Sequence, residues 1–213
     1  MTAIQESLYE HLFPLTTIMK QRVVDNFDGD TLNERWTQRI IDTAPTFAMV
    51  DAIDEGFSIL TATVSDDGGA LEFNNIRHYL NTASIVLGVI RPLQTTSIMT
   101  YIGFYNTRTG FGGGTQLAEA GFDTFSDTVN FTIRTGDASA TSVTSTTVVA
   151  DTTFRLHQVE LTSANSQYSI NGNLEVTKTT NRPTIRLQPF FVVLTRTTAA
   201  REGRIRYLEA YNT

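Results

Sequence analysis

The sequence predicts an all-β fold: a two-sheet antiparallel sandwich preceded by one short helical arm. Three observations carry that prediction. From Phe47 onward, apolar residues recur with a period near two over many short segments, the pattern of strands with one buried face. Turn-forming residues punctuate those segments at Asp66-Asp67-Gly68-Gly69, Gly110 to Gly114, Thr135-Gly136-Asp137 and Asn171-Gly172. Patterned segments also stand at both ends, Asn26 to Trp36 early and Arg204 to Tyr211 late, so the first and last strands are expected side by side. Many short strands with one small helix argue against a parallel α/β sheet.

The helix is expected over residues 2–13. Thr2 and Gln5 have the spacing of a capping box, and Ile4, Leu8 and Leu12 recur every fourth residue with Tyr9 and Phe13 beside them. Pro14 disfavours helix at Phe13 and stops it. A helix this short is marginal alone. Its stripe of Ile4, Leu8, Leu12 and Phe13 therefore packs on its own sandwich or, as an assembly arm, on a neighbouring subunit. The organisation read from this is an arm over residues 1–22 and a sandwich over 23–213.

Strands are expected at Phe57–Val64, Ser84–Ile90, Ser97–Tyr105, Thr128–Ile133, Phe154–Leu161 and Ile185–Leu194, all rich in β-branched and aromatic residues. Gln167–Ile170 and Asn173–Val176 flank Asn171-Gly172, the strongest hairpin signal, because a type I′ turn needs two residues that tolerate positive φ. Thr141 to Thr153 reads as an exposed strand pair, since Val143, Val148 and Val149 alternate with hydroxyl residues.

The chain has 213 residues, enough for one domain that buries roughly 70% of its unfolded surface. With no cysteine, neither disulfides nor cysteine-held zinc contribute. Net charge is −6, and the densest basic group, Arg201, Arg204 and Arg206, is interrupted by Glu202. That disfavours nucleic acid and anionic membrane surfaces as partners. The first residues carry neither a basic region nor a continuous apolar run, so synthesis in a cytoplasm without a signal peptide is expected.

Phe27, Leu32 and Trp36, the hairpin Tyr168 to Val176, and the alternating Tyr207 and Tyr211 resemble the concanavalin A-like lectin/glucanase jelly rolls. The resemblance implies a jelly-roll β-sandwich. Its members include lectins, carbohydrate-binding modules, laminarinase-type glucanases and surface proteins of viruses and phages, and the fold does not choose among them. Retaining glucanases of the superfamily carry three acids on one strand, in a pattern like Glu-x-Asp-x-x-Glu. Asp51, Asp54 and Glu55 come nearest to it, with the wrong spacing and at a turn; Glu72 and Glu160 stand alone.

The remaining candidates are sparse. His11, His78 and His157 are far apart and have no metal-binding spacing. No Gly-x-Ser-x-Gly elbow is present. Asp25, Asp28 and Asp30 are weak candidates for calcium, the one cofactor considered, against an Asx turn before Leu32. The glycine cluster around Phe111 is no phosphate loop, because no Lys-Ser/Thr follows it. Tyr101, Tyr105, Asn106, Arg108 and Phe111 gather near one strand end and could bind a carbohydrate or a partner, an aromatic ring covering a sugar face while amides pair its hydroxyls. With no catalytic constellation found, the sequence alone favours a non-enzymatic structural or attachment protein, most concretely a capsid-decorating or surface protein of a virus or phage particle. Its partners would be subunits of the same homo-oligomer or capsid shell. The alternative is a carbohydrate-binding module or lectin with a glycan partner, and after that a glucanase-like glycoside hydrolase.

Overall fold

The computed structural model describes residues 22–50, 55–73, 79, 82–106, 118–124, 129–137 and 139–213. The expected helical arm, with Ile4, Leu8, Leu12 and Phe13, lies outside them. Among the described residues there is no helix; fifteen strands form two antiparallel sheets, a jelly-roll sandwich.

One sheet runs in the order β13 (Asn173–Lys178), β12 (Ser166–Ile170), β11 (Arg155–Leu161), β6 (Ser84–Pro92), β15 (Glu202–Asn212), β4 (Phe57–Leu60), β3 (Thr46–Met49). In this sheet β1 (Arg22–Asp25) pairs with β15, Val23 opposite Ala210, so the first and last strands do lie side by side. The other sheet runs β10 (Thr141–Val149), β9 (Asn130–Asp137), β8 (Ala118–Asp123), β7 (Ile98–Tyr105), β14 (Gln188–Thr195), β5 (Gly68–Glu72), β2 (Thr37–Ile41).

The core between the sheets is apolar. Val86, Val159, Leu161, Tyr168, Ile205 and Leu208 of the first sheet meet Leu71, Ile102, Phe104, Phe122, Ile133 and Phe191 of the second. His157 is buried with them, its ring edge-on to Phe122 and Phe131 at 5.0 Å. Burial lowers its pKa to about 4, so it stays neutral. At the sandwich margin, Glu175 of β13 accepts hydrogen bonds from the backbone N–H (2.9 Å) and hydroxyl (2.6 Å) of Thr147 on β10, joining one edge strand of each sheet.

Local chemistry accounts for the turns, including two that differ from expectation. Asn171 (φ 51°) and Gly172 (φ 82°) both take positive φ, as the type I′ hairpin requires. Thr135-Gly136-Asp137 is not a turn. It completes β9, where Gly136 pairs with Glu119 on one side and Thr141 on the other, and the turn follows as Asp137 accepts the N–H groups of Ser139 and Ala140. Gly68 and Gly69 likewise open β5 rather than forming the turn before it, which falls at Asp66 (φ 67°).

Asn26 to Trp36 is a connection between β1 and β2 rather than a strand. Asp25 organises it, accepting the Phe27 N–H at 2.9 Å and the Trp36 indole N–H at 2.7 Å. This holds the Phe27 and Trp36 rings 5.9 Å apart in the core. Asp25 is therefore engaged as a turn acceptor. Among the described residues, no group of three acids or histidines converges to hold a metal ion, so Asp25, Asp28 and Asp30 do not form the calcium cluster considered from sequence.

Candidate active site

The site lies on the outer face of the second sheet and follows from strand register. Ala118, Ala120 and Phe122 of β8 enter the core between the sheets. Alternation then sends Glu119, Gly121 and Asp123 to the opposite face. Pairing aligns three rows across that face. The first holds Glu119, Tyr105 and Gln188; the second Arg134, Gly121, Gly103, Phe190 and Glu72; the third Thr132, Asp123, Tyr101, Val192, Ala70 and Arg39.

Two carboxylates thus stand four residues apart on one strand, above and below a glycine. Arg134 joins them from β9. Its Nε lies 3.3 Å from Glu119 Oε1 and 3.7 Å from Asp123 Oδ2, so those two oxygens can be no farther apart than about 7 Å, the sum of the two distances. Thr132 donates its hydroxyl to Asp123. Glu119 is 2% exposed and Asp123 1%. Burial raises the pKa of each carboxyl to about 6 against the opposing pull of Arg134 and, at Asp123, of the Thr132 hydroxyl. Near that pH the pair holds a proton as readily as it gives one up.

Aromatic rings complete the surroundings. The Tyr101 ring lies over Gly121, where an added Cβ would come within 2.4 Å of it, and the Tyr101 hydroxyl donates to the Phe104 carbonyl at 2.7 Å. Tyr101 meets Tyr105 edge to face at 6.2 Å, and Tyr105 stacks on Phe190 at 5.1 Å. Burial drives both phenol pKa values up, so both stay protonated. Farther along the face, Arg39 pairs with Glu72 at 3.1 Å.

The structure brings some of the sequence candidates together. Tyr101 and Tyr105 share this face as period two required, but they are buried rather than an exposed platform. Asn106, also buried, follows Tyr105 directly. Arg108, Phe111, Asp51, Asp54, His11 and His78 lie outside the described residues. Glu55 is remote from the site: it accepts from Arg91 and Arg204 beside the first sheet. Glu119 and Asp123 were missed. Their signal was present in Ala118-Glu-Ala-Gly-Phe-Asp123, where acids at one parity alternate with small and aromatic residues at the other. A search for a three-acid pattern passed over a pair with glycine between them.

No protein-family model and no curated protein matches the chain. Solved structures do. A Bacillus licheniformis β-glucanase superposes with a TM-score of 0.67 at 11% identity, over 90% of this chain and 98% of that one. The apo Crh5 transglycosylase gives 0.65 at 11% identity, over 90% and 84%. An immunostimulatory antigen and pseudo β-1,3-glucanase of Mycobacterium tuberculosis gives 0.64 at 10% identity, over 90% and 98%. What is shared at such identity is the concanavalin A-like jelly-roll fold. These neighbours correct the expectation of a non-enzymatic structural or attachment protein of a virus or phage particle. Proteins that share the fold include a β-glucanase and a transglycosylase, and a carboxylate pair occupies the face where the sequence reading had placed no catalytic group.

Proposed function

We propose that this chain cleaves or transfers a glycosidic bond on the outer face of its second sheet, with Glu119 and Asp123 as the reacting carboxyls. The observation that carries the reading is the pair itself: two buried acids on one strand face, joined by one arginine and bordered by tyrosines. Cleaving a glycosidic bond with two carboxyls requires one to protonate the departing oxygen and the other to act at the anomeric carbon or on a water. Burial supports that division, because with both pKa values raised to about 6 the pair can hold one proton and one negative charge together near neutral pH. Arg134 is the positioning group, holding both carboxyls in register until a sugar displaces one of its contacts.

The face is closed to solvent in this structure, so substrate entry must uncover it. Incubation with β-1,3-, β-1,4- and mixed-linkage glucans and with chitooligosaccharides tests the reading, by assay of new reducing ends and of transfer products. Turnover is expected, and E119Q and D123N should each lower it about 10³-fold or more. Glycan binding with no turnover on any of these substrates, or turnover that survives both substitutions, would refute it.

A further inference from the structure

Taking that glycan-cleaving reading as its basis, we propose that Gln188 reads the hydroxyl groups of a neutral sugar ring bound next to the carboxylate pair. Gln188 opens β14 and points to the same face as Phe190 and Val192. Register places it opposite Tyr105, which lies opposite Glu119. Two strand spacings therefore separate Gln188 from Glu119, about 10 Å, with the Tyr105 ring on the strand between them as the floor on which a sugar ring would lie.

The amide is fully buried, and neither its Oε1 nor its Nε2 has a hydrogen-bond partner. Buried polar groups are nearly always paired, so an amide with both ends open has unused bonding capacity that a water or a ligand hydroxyl can fill. Asn106, which follows Tyr105, is also buried and has its Oδ1 open. A pyranose ring presents neighbouring hydroxyls that each donate and accept. One amide, with one acceptor and two donors, matches two such hydroxyls at once.

The charges of the face select which ring. With one proton on the Glu119–Asp123 pair, that pair and Glu72 carry two negative charges against Arg134 and Arg39, and Arg196 near Asp123 is paired with Asp66, so each of these arginines already has a counter-charge. A uronate or sulfated sugar would bring a charge that these arginines are not free to meet; a neutral hexose or N-acetylhexosamine does not.

The test compares the full-length wild type with Q188L. Replacing an unpartnered amide with an apolar side chain of similar size should leave the glycan-free melting temperature equal or higher. On the neutral oligosaccharide that the wild type cleaves best, Q188L should raise KM about tenfold or more with kcat little changed. The wild type should also bind an oligogalacturonate of matched length more weakly than the neutral oligosaccharide in calorimetric titration. An unchanged KM in Q188L overturns the assignment. So does a lowered melting temperature, which would give the amide to the fold. A wild type that neither binds nor cleaves any neutral oligosaccharide removes the cleavage reading itself and this assignment with it, whereas an active wild type whose KM ignores Q188L removes the assignment alone.

Discussion

The two sheets bury their strands in different ways. In the first, β11, β12 and β15 alternate buried side chains with half-exposed ones, as expected of an antiparallel sheet with one face on the core and one toward water. In the second, β5, β7, β8 and β14 are buried at every position. The second sheet therefore has two interiors. One, between the sheets, is mainly apolar, with neutral polar groups such as His157, Thr100 and Thr135 among its side chains. The other, on the outer face, holds a cluster whose described residues come from that sheet, with Met99, Tyr101, Tyr105, Phe190, Val192 and Leu194 beside Glu119, Asp123 and Arg134. Packing alone explains the first. The buried ionisable groups on the outer face are the ones the proposed chemistry would use.

Removing Arg134 should separate the two interiors most sharply. R134M leaves two buried acids without their shared counter-charge and should cost about 3 kcal/mol at pH 8. Below pH 5 the acids are protonated and the loss should shrink. Urea unfolding at both pH values measures the difference, and equal losses would mean that Arg134 acts through packing.

The two interiors should also respond to pH with opposite signs. His157 is depressed from its ordinary 6.5 to about 4, so its stabilising effect is complete above 6.5 and is lost as pH falls toward 4. That window corresponds to about 3 kcal/mol, and H157L should flatten it. Glu119 and Asp123 are raised to about 6 from 4.5 and 3.8, so the penalty of ionising them is absent below about pH 4 and complete above about 6. E119Q/D123N should therefore gain stability relative to wild type only above that window, read from melting temperatures between pH 4 and 8.

The smallest effect comes from a matched pair of glycines. A Cβ at Gly88 would come within 2.5 Å of Ile102 in the inter-sheet core, and one at Gly121 within 2.4 Å of the Tyr101 ring on the outer face. G88A and G121A should each cost about 2 kcal/mol through overpacking. Only G121A should also change turnover at a fixed temperature well below melting, because it moves Tyr101 over the carboxylates.

Much of the architecture was legible in the amino acids. Strong period-two runs located β6, β7, β11 and β14, and Asn171-Gly172 marked the β12–β13 hairpin. Strands β2, β5 and β8 were not found, because glycines and charged residues interrupt their pattern: β5 begins Gly68-Gly69, and β8 alternates acids with alanine and glycine. Those irregular residues are the ones that build the site. Gly121 and Gly103 keep its floor low, while Glu119 and Asp123 occupy positions where a strand search expects apolar or neutral side chains. Tyr101 and Tyr105 share a face by the strand's period of two, yet their burial could not be foreseen, since in an ordinary antiparallel sandwich that face meets water.

The contact between Thr147 and Glu175 carries a consequence for the molecule in crowded solution. The outermost strands of a sandwich are open templates on which a foreign strand can be added. Here one carboxylate from one layer occupies a main-chain donor of the other, and exposed Val143, Val149 and Leu174 flank the seam. The barrier to polymerisation along that margin therefore rests on a negatively charged clasp, backed among the described residues by Lys178 of β13 donating to the Ser142 hydroxyl of β10 at 3.3 Å.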